Sequence, residues 1–274
     1  MILFPNAKIN IGLSVIRKRK DGYHDIETVM YPIGLCDVLE YIKDEEYKQG
    51  AKIPVTYSGD ISFSGQNTCM KVIDRLKELY HVPPIKMHLL KNIPTGAGLG
   101  GGSSDAAFLL YSLNKTFSFG LSDTELEELS GNIGSDCPFF IRNRPSFVTS
   151  RGNKLQDIPV MLKGYFLMLI YPGIQINTKE AYEEVIPGNK SVHLDKRILE
   201  PVEQWQYCIK NQFEESLFRK YPLLAKIKKE LYKMGAVYAS MSGSGSALYG
   251  IFRSGKEIPS KFNSYFTYQE MLKI

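Results

Sequence analysis

The chain has 274 residues, of which 43% are hydrophobic and 23% charged, and a formal net charge of +5. These values exclude a disordered or fibrous class and leave room for two packed lobes. The mild positive charge suits polyphosphate ligands and an ordinary basic protein equally, so it selects no function alone.

The cysteines stand at positions 36, 69, 137 and 208 with no C-x-x-C pair. Reduced thiols in a bacterial cytoplasm are the expectation. The opening MILFPNAKIN reaches Asn6 and Lys8 too soon for a signal-peptide apolar region, and an Arg/Ser-rich transit segment is missing. No stretch approaches the roughly 18–20 apolar residues of a membrane span, so no membrane partner is expected. The basic charge lacks the aromatic–basic strand signature of RNA binders, so no nucleic-acid partner is expected either.

Residues 7–16 alternate, with Ile9, Ile11, Leu13 and Val15 on one face and Asn10, Gly12 and Ser14 on the other. That period of two predicts a half-buried strand. Asp21-Gly22 is a turn signal, and the apolar-rich run from Ile26 to Leu35 completes a hairpin. Residues 43–66 are polar, with one strand expected around Ile53–Tyr57. Asn67 or Thr68 caps a helix carrying Val72, Ile73, Leu76, Leu79 and Tyr80 at helical spacing. Ile85, Met87 and Leu89 form a strand, and Ala106, Ala107, Leu109, Leu110 and Leu113 mark a helix beyond a glycine-rich loop. Ser122-x-x-Glu125 is a capping box, with Gly131 as the stop. From about residue 158 the pattern restarts with an apolar strand, Tyr165–Tyr171, closed by Pro172-Gly173. Pro222 opens a helix that Gly235 ends, and two strands, Ala236–Ser240 and Ala247–Phe252, flank the turn Met241–Ser246. Strands and helices mix without strict βαβ alternation, so the fold class is α+β. The expected division is residues 1–157 and 158–274.

The loop Pro94–Ala107, PTGAGLGGGSSDAA, carries the chemistry. Gly96, Gly98, Gly100, Gly101 and Gly102 remove side chains where backbone N–H groups must approach a ligand. Ser103, Ser104 and Asp105 then open a helix, whose free N–H groups and dipole favour an anion. One helix end supplies only about 0.3–1 kcal/mol per exposed charge, so several N–H groups must converge on a polyphosphate. A flexible linker would not sit between a strand and an amphipathic helix. No Lys follows the glycines, which excludes the P-loop, and no βαβ unit surrounds them, which argues against a dinucleotide fingerprint.

Here the sequence resembles the galactokinase, homoserine kinase, mevalonate kinase and phosphomevalonate kinase (GHMP) superfamily. Pro94, Gly96, Ala97, Gly98, Leu99, Gly100, Gly101, Gly102, Ser103 and Ser104 fall on its phosphate motif. Ala7-Lys8-Ile9-Asn10 matches a second motif and Met241–Ser246 a third, in the right order. Asp21-Gly22-Tyr23-His24 with Thr28, the triple glycine before Ser103-Ser104-Asp105, and Gly134-Ser135-Asp136-Cys137-Pro138 resemble one branch. That branch phosphorylates the 2-hydroxyl of 4-diphosphocytidyl-2-C-methyl-D-erythritol with ATP, in the non-mevalonate route to isoprenoid precursors. The alternatives are a homoserine- or mevalonate-type kinase of the same superfamily and, in another class, a non-catalytic regulator.

The resemblance implies a two-lobed fold, with a ribosomal-protein-S5-domain-2-like N-terminal lobe, a ferredoxin-like C-terminal lobe and the active site in the cleft between them. It implies Asp136 as the base and Lys8 as the catalytic lysine, where the residues alone read as a helix cap and a solvated strand lysine. Asn10 would orient the erythritol end. Tyr23 and Tyr182 would clamp cytosine, with His24 and Thr178 bonding nearby, although Tyr182 also reads as a core residue on a helix face. Ser242 and Gly243 would face phosphate in what otherwise reads as a tight hairpin. ATP would be the co-substrate and Mg²⁺ its companion, with Ser104 the nearest candidate ligand. The molecule would be a monomer or a homodimer. Gly152-Asn153-Lys154-Leu155 departs from the superfamily's common Gly-Glu-x-Leu at Asn153.

Overall fold

The computed structural model describes residues 1–46, 53–59 and 67–274. The chain opens with a short strand β1 (Ile2–Leu3) and two long ones, β2 (Asn6–Lys18) and β3 (His24–Cys36), joined through the Asp21-Gly22 turn. Gly22 sits at φ +84°, the left-handed backbone such a turn demands. Next come β4 (Val38–Lys43) and β5 (Val55–Gly59), the latter meeting the strand expected near Ile53–Tyr57; the rest of the expected polar segment falls partly outside the described residues. Helix α1 (Thr68–Leu79) is capped by Asn67, whose side chain accepts from the Cys69 N–H at 2.8 Å. Val72, Ile73 and Leu76 are buried as their spacing predicts, whereas Leu79 is 49% exposed because it lies in the last turn, beyond the packed stripe.

Strand β6 (Ile85–Lys91) leads into the glycine-rich loop and helix α2 (Gly101–Phe117), which starts two residues before the expected Ser103. Helix α3 (Asp123–Gly131) carries the full Ser122/Glu125 capping box, and α4 (Cys137–Arg142) follows directly after Asp136. The hairpin β7 (Ser146–Ser150) and β8 (Lys154–Asp157) places Asn153 in its exposed turn. Then come β9 (Phe166–Tyr171) and four helices: α5 (Thr178–Glu183), α6 (Leu194–Arg197), α7 (Trp205–Cys208) and α8 (Phe213–Lys220). Helix α9 (Pro222–Lys233) has Pro222 in its first turn and Gly235 just past its end at φ +95°. Strands β10 (Tyr238–Met241), β11 (Leu248–Phe252) and β12 (Phe266–Met271) complete the chain. No helix among the described residues is long and apolar enough to cross a membrane.

Among the described residues the strands form three four-stranded sheets: β1-β4-β6-β5, β2-β3-β7-β8 and β10-β11-β9-β12. Contacts group the chain into two units interleaved in sequence. One holds Met1–Ala7, Leu35–Thr95 and Gly100–Asn143; the other holds Lys8–Gly34, Gly96–Leu99 and Arg144–Ile274. In the first unit, α1 and α4 pack on α2, burying Leu109, Leu110 and Leu113 with Val72, Ile73, Leu76 and Phe139. In the second, α9 packs on β10 and β11 and on α8, and one apolar cluster runs from Leu13 and Val15 through Met168 and Ile170 to Leu224, Ile227 and Leu231.

Strand β2 departs from the alternating expectation. Every residue from Ala7 to Leu13 is buried, on both faces. Leu13 and Val15 join the apolar cluster, while Lys8 and Asn10 are only 3% and 2% exposed and belong to a hydrogen-bonded polar layer. A polar face can be buried when its groups are bonded, and here they are.

Candidate active site

In the second unit, the site begins at Asn10. Its Nδ2 donates to Thr28 Oγ1 at 3.0 Å, and Thr28 Oγ1 donates to the Gly12 carbonyl at 2.6 Å. With Nδ2 so engaged, Oδ1 is turned to accept from the Lys8 ammonium. The backbone of Asn10 is held on both sides: its N–H donates to Ser242 Oγ at 3.1 Å, and its carbonyl accepts from the buried Tyr249 hydroxyl at 2.8 Å. The chain Gly12–Thr28–Asn10–Lys8 therefore orders an ammonium inside the protein, and the solvated strand lysine is not what the fold contains.

The glycine-rich loop joins this cluster through three successive carbonyls. Ala97 O accepts from the Ala247 N–H at 3.1 Å, Gly98 O from Ser242 Oγ at 2.8 Å and Leu99 O from the Lys8 N–H at 3.0 Å. Oxygens that would repel a phosphate are thus spent inside the protein. Gly96, Gly98 and Gly100 all take positive φ, between +72° and +79°. At Gly98 a Cβ would also lie 2.1 Å from the Ser242 carbonyl, so the close approach of loop and turn requires glycine there. Gly243, at φ +56°, lies in the same turn with its carbonyl bonded by Asn211 at 2.8 Å.

The first unit holds the remaining loop residues. Pro94 is buried, and Gly100 is the left-handed residue before α2. The Gly102 carbonyl accepts from Thr68 Oγ1 at 2.6 Å. The Ser103 hydroxyl hydrogen-bonds the Cys137 thiol, tying the first residue of α4 to the start of α2. Burial pushes that thiol up to about 12, so it remains protonated and serves as a spacer. Asp136 immediately precedes it, half-buried, at the N-cap position of α4, as the residues alone read, though its side chain makes no cap bond to that helix. Ser104 is fully buried in the first turn of α2, with an Oγ that has no protein partner.

Behind the loop lies a charge cluster that sequence reasoning missed. Lys91, at the end of β6, donates to Asp37 and, at 2.7 Å, to Asp105 in α2. Asp37 Oδ1 also accepts from the N–H groups of Asn92 and Ile93, at 2.7 and 2.8 Å. The cluster fixes the residues on either side of the loop. Its partners stand up to 56 positions apart, so no local pattern announces it.

The aromatic residues sit in the second unit. Tyr182 stacks on His24 with centroids 4.8 Å apart and planes at 16°, and meets the edge of Phe213 at 4.9 Å. Burial and the nearby Lys18 lower the His24 pKa, leaving a neutral imidazole near pH 7. Tyr23 stands 59% exposed with the Arg151 guanidinium 5.1 Å from its ring centre. The structure thus brings Tyr182 together with His24, while the neighbour over Tyr23 is Arg151. Thr178 opens α5, its hydroxyl 3.3 Å from Ser244 Oγ beside Gly243.

Residues 67–144 match the GHMP kinases N terminal domain and residues 199–267 the GHMP kinases C terminal. A 4-diphosphocytidyl-2-C-methyl-D-erythritol kinase of Bacteroides fragilis is 44% identical, covering 100% of both chains. One from Azobacteroides pseudotrichonymphae is 48% identical, covering 96% of this chain and 97% of its own. A crystal structure of 4-(cytidine 5'-diphospho)-2C-methyl-D-erythritol kinase superposes with a TM-score of 0.76 at 27% identity, covering 92% of this chain and 90% of that one. The glycine-rich loop, the buried lysine and these relatives agree: the chain belongs to the GHMP kinase family, in the branch formed by the 4-diphosphocytidyl-2-C-methyl-D-erythritol kinases.

Proposed function

We propose that the protein transfers the γ-phosphoryl group of ATP to the 2-hydroxyl of 4-diphosphocytidyl-2-C-methyl-D-erythritol, releasing the 2-phosphate and ADP. The observation that carries this reading is the buried ammonium of Lys8, ordered by Asn10 and Thr28, in a layer that also holds loop residues Ala97–Leu99 and Ser242. Likeness to relatives of 44–48% identity supplies the substrate.

Phosphoryl transfer proceeds through a loose transition state, so positioning and charge stabilisation outweigh base strength. In this reading the loop Pro94–Ser104 holds the ATP phosphates with its backbone N–H groups, and Lys8 stabilises charge on the transferred group. Asp136 takes the proton of the attacking hydroxyl, and Asn10 orients that hydroxyl's end of the substrate. Tyr23, His24, Thr178 and Tyr182 receive the cytidine end, where a neutral His24 can hydrogen-bond the base. Ser242 and Gly243 face phosphate.

Mg²⁺ arriving with ATP would neutralise charge on its phosphates. The buried, unpartnered Ser104 Oγ at the start of α2 fits one coordination position, and no cluster of three or more metal-ligating side chains exists among the described residues. The rest of its shell would come from phosphate and water. A cytoplasmic location, a monomeric or homodimeric state, and residues 1–157 as the ATP-binding lobe complete the proposal; that last division runs across the interleaved compact units.

An ADP-release assay offering the cytidyl substrate beside homoserine, mevalonate and galactose tests it. Turnover with the cytidyl substrate is expected; turnover with one of the others alone would overturn the substrate assignment and leave the kinase standing.

A further inference from the structure

The turn Met241–Ser246 contains two glycines at positive φ, Gly243 and Gly245, and three serines. Such a segment has little rigidity of its own. Its backbone polar groups are buried and need partners. The turn supplies some itself, with the Ser242 N–H bonded to Ala247 O and the Gly245 N–H to Ser242 O; others come from Asn211 and Glu214, just before and within the start of α8. Asn211, 3% exposed, donates through Nδ2 to the carbonyls of Met241 and Gly243, each at 2.8 Å. Its Oδ1 accepts from the Phe213 N–H at 3.0 Å. Glu214, also buried, accepts on Oε1 from the Met241 N–H at 2.8 Å and from Ser240 Oγ at 3.2 Å. Four hydrogen bonds from two side chains thus clasp residues 240–243.

The same segment reaches two other parts of the site. Its backbone bonds β2, with the Leu13 N–H donating to Lys210 O at 3.0 Å and the Gln212 N–H to Leu13 O at 2.8 Å. Gln212 Oε1 accepts from the Val15 N–H at 2.7 Å. Phe213 meets Tyr182 edge-on. One short stretch therefore touches the turn bearing Ser242 and Gly243, the strand bearing Lys8 and Asn10, and the ring of Tyr182.

We infer that Asn211 and Glu214 are positioning residues for phosphoryl transfer: they hold the Met241–Gly243 backbone in a preformed arrangement against Asn10 and Gly98. The inference rests on the kinase reading above. The choice of side chains follows from donor arithmetic. Two buried carbonyls need two N–H donors, which an amide has and a carboxylate of the same shape does not. The Met241 N–H needs an acceptor, which Glu supplies and the one amide oxygen of Gln can retain, at the loss of the ion pair that Glu214 Oε2 makes with Lys228.

The test uses Asn211→Asp, Glu214→Ala, Glu214→Gln and, as a control in the same segment, Gln212→Ala, which loses the bonds to Val15 and Ile186 without touching the turn. Misplacing a group by about 1 Å costs on the order of 10²-fold in rate. Asn211→Asp and Glu214→Ala are expected to lower kcat by about that factor with both KM values unchanged, the pattern left when an interaction made only in the transition state is lost. Amide hydrogen exchange at residues 242–246, measured without ligands, should speed up in the same two variants. Glu214→Gln and Gln212→Ala should keep the wild-type kcat and turn protection. A folded Asn211→Asp protein with wild-type kcat, or an equal kcat loss in Gln212→Ala, overturns the inference. If Asn211→Asp does not fold, the contrast between Glu214→Ala and Glu214→Gln decides. Unchanged exchange at the turn in Glu214→Ala defeats the positioning role, whereas a wild-type protein inactive on the cytidyl substrate defeats only the functional reading.

Discussion

Asn10 makes four hydrogen bonds with four atoms: side chain to Lys8 and Thr28, backbone to Ser242 and Tyr249. A residue so bound cannot swing, and the Lys8 ammonium inherits that order. This is the physical basis for expecting Lys8→Ala to lose turnover; Asp136→Ala is expected to do so as the proposed base, each by at least the roughly 10²–10⁴-fold typical of a proton-transfer group. Circular dichroism should show both variants folded, and wild-type kcat in either would remove that residue from the mechanism. Tyr182 stacks its ring on His24 and meets the edge of Phe213. Base stacking on an aromatic ring is worth about 1–3 kcal/mol. Tyr182→Ala is therefore expected to raise KM for the cytidyl substrate about 5- to 150-fold and leave KM for ATP unchanged; an equal rise in both would sink the base-binding role.

Among the elements, the ones read from sequence were those whose signals are local. Asn67 before α1, Pro222 and Gly235 at the ends of α9, and the reciprocal Ser122/Glu125 box of α3 all act within one turn of the residue concerned. The box is a measurable case. Ser122 Oγ satisfies the Glu125 N–H, and Glu125 Oε2 returns to the Ser122 N–H at 2.8 Å. Ser122→Ala should lower the unfolding free energy by about 1 kcal/mol in urea melts with activity unchanged; a loss of activity at equal stability would show that α3 is coupled to the site. The short helices α5 to α8 were not legible, because six residues or fewer cannot display a helical period, and α8's eight residues barely do. Strand β2 was found but its burial was misread: alternation says which residues share a face, not that the polar face is covered by the Ser242 turn and Tyr249.

Across the molecule, the largest electrostatic commitment is the Asp37–Lys91–Asp105 cluster, with exposures of 0%, 5% and 3%. Removing the cation would leave two buried carboxylates facing each other. Lys91→Met is expected to cost about 3–5 kcal/mol, read by urea denaturation; an effect within the error of the melt would mean that Asp105 is held neutral. Burial, with Asp37 adding to it, lifts the Asp105 carboxyl to about 7 against the pull of Lys91, with the Cys69 thiol also close by. A carboxyl raised on folding favours the folded state fully below its ordinary value near 3.8, and that contribution is lost as pH rises through about 7. Asp105→Asn should therefore flatten the fall in melting temperature between about pH 5 and about pH 8; the same slope in wild type and variant would refute it.

By itself the sequence determined the α+β class, the glycine-rich loop and the helix after it, most of the longer elements and the family, because turn chemistry, caps and glycine spacing are written within a few residues of where they act. Only the tertiary structure decided that Lys8 is buried and bonded through Asn10, that Ala97–Leu99 turn their carbonyls inward, and that Asn211 and Glu214 clasp a turn about 30 residues away. It also decided that Tyr182 pairs with His24. Those facts depend on which buried donors and acceptors meet across the fold, and desolvation makes each such meeting obligatory without giving it any local sequence signature.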